Sequence, residues 1–145
     1  MKKDHIVFLI GRIQYKANRF LSREMKTHRI NGLATSQGEI LGTLMARGPL
    51  PMSEVGRIIN KDKSTITALV NKLIKMGYVE KKSEPADSRI SLIALTRKGI
   101  ALKPRFQRIA LKLRVQSYKG ITDSEREILV NLLTKLSTNL ESIRR

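Results

Sequence analysis

Cysteine and tryptophan are both absent from the 145 residues, and histidine is limited to two. Without a thiol there can be no disulfide, thiolate metal site or thiol redox sensor. His5 and His28 are far apart and match no metal-ligand spacing, so neither a metal nor a histidine-based catalytic centre is expected. Long apolar runs are missing too, and nothing approaches the ~18–20 residues that span a bilayer. The apolar HIVFLI stretch after Lys2-Lys3 is too short for a signal-peptide core, and Gly11-Arg12 ends it without a small-residue cleavage site. A cytoplasmic protein without a membrane role is therefore expected. The remaining scarcity is acid, with 12 Asp+Glu against 29 Lys+Arg and a net charge of +17.

An excess of that size points to a polyanionic partner. It is spread along the chain and is not a basic tail. No acid lies between Asp87 and Asp123, where Arg89, Arg97, Lys98, Lys103, Arg105, Arg108, Lys112, Arg114 and Lys119 all fall. A solvated helical face would account for that stretch equally well. No nucleophile–base pair, paired carboxylates or phosphate-cradling glycine loop can be found, so no enzyme and no cofactor are expected.

Apolar spacing predicts a mostly helical chain. Ile6, Leu9, Ile10, Ile13, Ala17, Phe20 and Leu21 mark a long amphipathic helix from Ile6 to about Lys26. Ser36-Gln37-Gly38-Glu39 supplies a capping box for a second helix carrying Ile40, Leu41, Leu44 and Met45, ended by Arg47-Gly48-Pro49. A short helix from Ser53 to Ile59 then turns at Asn60-Lys61 into one capped by Asp62. Two short helices joined by a tight turn form a helix-turn-helix.

In the second of these, Ile66, Leu69, Val70, Leu73 and Ile74 form one stripe, and Gly77 sits at the αL position past its end. Tyr78 to Lys82 and Ile90 to Leu95 read as two strands around a turn at Ser83–Arg89. Thr96 opens a further helix that runs through Pro104. Thr122-Asp123-Ser124-Glu125 caps the last helix, whose Ile128, Leu129, Leu132, Leu133, Leu136, Leu140 and Ile143 exceed what a small DNA-binding core can cover. That surplus suggests a two-fold dimer.

Helix, strand, basic loop and strand in this order are the layout of a winged helix-turn-helix. With its stripe buried, the Asp62 helix keeps Lys63, Ser64, Thr65, Thr67, Ala68, Asn71 and Lys72 outside. Hydroxyls bond phosphates or bases, Asn reads adenine, and Lys supplies charge or reaches guanine. Lys82 on the first wing strand adds a cation, and Arg89 is placed for the minor groove, where A·T-rich segments concentrate negative potential. DNA would repel Asp87, whose expected task is to stabilise the wing and orient Arg89. A capped surface helix followed by a salt-bridged hairpin is the competing reading.

Over almost its whole length the sequence resembles the MarR family, the multiple-antibiotic-resistance regulators. GLATSQGEIL, DKSTITALVNKLIKMGYVEK, PADSRISLIALTRKG and ITDSEREILVNLL carry the resemblance in the expected order. It implies a single unit over 1–145, with a winged helix-turn-helix lobe over 33–99 and dimerisation helices over 1–30 and 100–145. A homodimer on double-stranded DNA, acting as a repressor or activator, is the implied function. As a repressor it would bind a pseudo-palindromic operator and be released by a small-molecule effector, for which Tyr15, Arg19 and His28 are polar candidates. Two departures matter. Ala68 stands where many relatives have a larger polar residue, and the thiol switch of one branch is ruled out. A non-specific nucleic-acid-coating protein is the alternative function.

Overall fold

The computed structural model describes residues 5–143. Lys2, Lys3 and the outermost ends of the expected dimerisation segments lie outside them. The chain divides into two compact units, one ending at Ala110 and one beginning at Leu111.

In the first unit, α1 (Ile6–Thr27) and α2 (Thr35–Arg47) precede a two-residue strand, β1 (Leu50–Pro51). Next come α3 (Met52–Ile59), α4 (Lys63–Lys75), β2 (Val79–Ser83), β3 (Ser91–Leu95), the single-turn α5 (Arg97–Ile100) and the start of α6 (Lys103–Ser117). The core is built where the periodicity places it: Ile40, Leu41 and Leu44 from α2, Val55 from α3, and Ile66, Val70 and Leu73 from α4 are all buried. Val79 and Ile93 close it from the sheet, and Leu102 and Ile109 from the chain that follows. Burying side chains of this size stabilises by roughly 1.5–3 kcal/mol each, which seats the inner stripe of α4 in the core.

Three local expectations need correction. The second helix begins at Thr35, with Ala34 as its N-cap, and not at a Ser36-to-Glu39 box. Gln37 is the residue that closes this end, its Oε1 accepting from the Ala34 N–H at 2.9 Å. Alanine has no oxygen to answer it, so only half of a capping box exists. The two wing strands pair as expected, but they do not stand alone. β3 is the centre of a sheet ordered β1-β3-β2, antiparallel throughout, with Leu50 opposite Ile93 and Val79 opposite Leu95. Pro51 fits on that edge because it has no N–H to give the ladder.

Finally, the helix opened by Thr96 ends at Ile100, and a new one starts at Lys103. Pro104 explains the break: it has no N–H, and its ring collides with the carbonyl four residues back, which is that of Ile100. At the second position of α6 the missing N–H costs nothing.

The second unit holds the rest of α6 and α7 (Asp123–Glu141). Thr122 and Glu125 form a reciprocal capping box, the Thr122 N–H donating to Glu125 Oε2 at 2.8 Å and the Glu125 N–H to Thr122 Oγ1 at 3.2 Å. No residue of α7 is buried. Ile128, Leu129, Val130, Leu132, Leu133 and Leu140 are all exposed on the single chain.

Candidate nucleic-acid interface

α3 and α4 are joined by a turn with almost no slack. Asn60 adopts the left-handed conformation at φ 56°, and the Lys61 N–H donates back to the Gly56 carbonyl. A Cβ at Gly56 would lie 3.2 Å from the Lys61 carbonyl oxygen, so a small residue is needed there. Asp62 then caps α4, its Oδ1 accepting from the Thr65 N–H at 2.8 Å and from the Ser64 hydroxyl at 2.9 Å. Those bonds, the Thr65 N–H foremost, hold its carboxyl below the usual aspartate range.

The outer face of α4 is open. Lys63, Ser64, Thr65, Ala68, Asn71 and Lys72 are exposed, and Thr67 is half-buried. Residues four apart share a line along a helix, so Lys63, Thr67 and Asn71 form one row and Ser64, Ala68 and Lys72 its neighbour. The hydroxyls are less free than their exposure suggests. Ser64 donates its proton to Asp62, and Thr67 donates to the Lys63 carbonyl at 2.8 Å. What both oxygens still offer is acceptance, which suits an amino group on a base edge better than a phosphate. Asn71 and Lys72 can reach outward, and Ala68 leaves a smooth gap between Ser64 and Lys72.

The wing tip is a closed turn. The Glu84 N–H donates to the Ile90 carbonyl and the Ile90 N–H to the Asp87 carbonyl. Asp87 also receives Arg89 three times: its Oδ1 accepts from the backbone N–H and from Nε, both at 3.0 Å, and its Oδ2 from Nη2 at 2.9 Å. This fork holds the Asp87 carboxyl below its usual range and raises the Arg89 pKa. The Arg89 side chain is nonetheless 88% exposed. It is a cation aimed by one carboxylate and otherwise open to solvent.

Lys82 lies on β2 with Nζ 3.3 Å from Glu80 Oε1, two residues back on the same strand face. Lys81, which the sequence reading passed over, is exposed on the opposite face. The signal was the Lys-Lys pair itself, since alternation in a strand puts one of two neighbours on each side.

The three effector candidates are not brought together. Tyr15 and Arg19 sit one turn apart on α1, with the Arg19 guanidinium carbon 5.8 Å from the Tyr15 ring centre. A groove lined by Val7, Phe8, Gly11, Arg12, Lys16 and this pair runs along the helix. His28 caps the C-terminal end of α1, about 20 Å from Tyr15 and about 14 Å from Arg19 at 1.5 Å per residue. Its carbonyl accepts from Arg105 Nη1 at 3.2 Å, and its ring Nε2 lies 3.7 Å from Glu24 Oε2. Among the described residues no helix is long and apolar enough to cross a membrane, and no group of three His, Cys, Asp or Glu could hold a metal.

Comparison with known proteins places these features in a family. A model of the MarR family matches residues 31–90, the stretch from before α2 to just past the wing tip. The HTH-type transcriptional regulator MhqR of Bacillus subtilis (strain 168) is 30% identical over 101 residues, covering 70% of this chain and 68% of that protein. The HTH-type transcriptional repressor IacR of Pseudomonas putida is 25% identical over 142 residues, covering 98% and 83%. Among solved structures, a probable transcriptional regulator from Pseudomonas aeruginosa aligns with a TM-score of 0.76 at 27% identity, covering 92% of this chain and 97% of that one.

Proposed function

The chain belongs to the MarR family of non-enzymatic, DNA-binding transcriptional regulators, and on that premise we propose that it is a homodimeric repressor of a pseudo-palindromic operator. The observation that carries this is the pairing of an open α4 face with an Arg89 already held in place by Asp87. A cation fixed before binding loses less side-chain entropy when it enters a groove.

In this reading α4 lies in the major groove and the wing reaches the adjacent minor groove. Lys63, Lys72, Lys82 and Arg89 supply phosphate and minor-groove charge, while Asn71 and the acceptor oxygens of Ser64, Thr65 and Thr67 face base edges. A dimer sets two such units about one DNA turn apart, roughly 34–36 Å. The apolar faces of α1, α6 and α7 form its interface, as the exposure of Ile6, Ile10, Leu111, Val115 and the α7 leucines suggests. For an effector, the reading favours the α1 groove at Tyr15 and Arg19 over His28. An anionic aromatic molecule suits a tyrosine flanked by Arg12, Lys16 and Arg19. It can release DNA only by preferring the released form.

The test is a titration against an operator obtained by selection and against random DNA. The unaltered protein should prefer the operator by ~10³ or more at physiological salt, whereas a coating protein would show no preference. In the same assay Arg89→Ala should weaken operator binding roughly 10- to 100-fold, most on A·T-rich flanks, and leave the dimer intact. Equal affinities of mutant and parent would remove the wing from the site.

A further inference from the structure

An α-helix ends in carbonyls without intrahelical partners, and the end of α4 has an unusual set of donors. The helix closes on itself first: the Gly77 N–H donates to the Ile74 carbonyl and the Tyr78 N–H to the Leu73 carbonyl, with Gly77 at φ +81°. Beyond those pairs come the carbonyls of Met76, the C-cap of α4, and of Gly77 and Tyr78 in the turn to β2. All three are taken by one short segment some twenty residues later. Lys98 Nζ donates to the Met76 carbonyl at 2.7 Å, Thr96 Oγ1 to that of Gly77 at 2.5 Å, and the Thr96 N–H to that of Tyr78 at 3.0 Å.

The same segment locks itself in that position. Thr96 Oγ1 accepts from the Gly99 N–H at 3.2 Å, capping α5 with the oxygen that holds Gly77. Lys98 Nζ lies 4.7 Å from the centre of the Tyr78 ring, so its charge is shared between a carbonyl and an aromatic face. At Gly99 a Cβ would stand 2.2 Å from the Tyr78 carbonyl oxygen, and only glycine permits this approach. A cation at a helix C-terminus also meets the negative end of the dipole.

We propose that Lys98, with Thr96, is a positioning residue for DNA readout: it anchors the C-terminal end of α4 and thereby sets the tilt at which the Lys63-to-Lys72 face enters the groove. The inference rests on the function proposed above and adds a role for a cation that composition alone would assign to phosphate binding. α4 is about 20 Å long at 1.5 Å per residue, so a tilt of roughly 3° about one end moves the other by about 1 Å. Hydrogen bonds to base edges, confined to about 2.7–3.2 Å, do not survive that displacement. Flexible lysines on phosphates follow it. Loss of the anchor therefore costs sequence preference and not general affinity.

The full-length dimer with Lys98→Met, and separately with Thr96→Val, tests this by titration against operator and random DNA over a salt series. Thr96→Val breaks the anchor without changing charge. Both variants should lose about tenfold in operator affinity while random-DNA affinity and the salt slope stay as in the parent. A direct phosphate contact gives a different pattern. Lys98→Met would then weaken both DNAs alike and reduce the slope by about 2 per dimer, with Thr96→Val unchanged, and that result overturns the proposal. Unchanged operator affinity in both variants overturns it as well. A parent protein that binds operator and random DNA equally would remove the proposed function, and this inference with it.

Discussion

Leu132→Asp should convert the proposed dimer, twice 16.5 kDa, into a monomer that no longer holds the proposed operator. α7 has no buried residue in the single chain, although Ile128, Leu129, Leu132, Leu133 and Leu140 repeat at helical spacing along it. A helix of this kind needs a partner, because its propensity alone is marginal in water. Each leucine covered in the interface contributes roughly 1.5–3 kcal/mol, and two-fold symmetry counts every change twice. Placing two carboxylates in an apolar seam removes that term and adds their desolvation, so dimer affinity should fall by ~10³ or more. Operator binding follows, because the second recognition helix is then no longer held at high local concentration. Leu132 is 53% exposed in the chain alone, so the substitution removes little packing within one protomer. Sedimentation and DNA titration together decide the matter. A mutant that stays dimeric, or a monomer with undiminished affinity, contradicts the interface.

A second large effect is salt. Lys63, Lys72, Lys82 and Arg89 give four cations per protomer on the proposed DNA face, and eight per dimer. Neutralising about 8 phosphates gives a slope of log affinity against log salt near −7. Between 50 and 200 mM salt, affinity should then fall by about 10⁴-fold. The net charge of +17 sets the sign of this effect, and the placement of the four cations sets its size. A slope shallower than about −2 would mean that the charge lies elsewhere than on the DNA-facing surface.

Much of this site was legible in the sequence because its signals are local. The stripe Ile66, Val70 and Leu73 fixed which face of α4 is buried, and so which face is left open. Asp62 and Thr122 cap their helices as their spacing predicts. Asp87 and Arg89 are two residues apart, close enough for the fork between them to be anticipated.

The features that were not legible depend on distant parts of the chain or on a contest between local signals. β1 is only Leu50 and Pro51, with Pro49 before it, and becomes a strand only because β3 offers an edge. Ser36 and Glu39 look like a capping box, but Gln37 closes the helix end two residues earlier, on Ala34. Pro104 reads as lying inside one continuous helix, but it marks the break between two. The Lys98 contact spans 22 residues and leaves no periodic trace, so in composition it looked like one more surface cation.

Selection of bound fragments from a random DNA pool by the purified, full-length protein tests the central claim most directly. A symmetric dimer should return a two-fold consensus whose half-sites are centred about 10 bp apart, with A·T-rich flanks where the wings reach. A pool that yields no consensus, or one without two-fold symmetry, would contradict a symmetric DNA reader and leave a basic protein that coats nucleic acid.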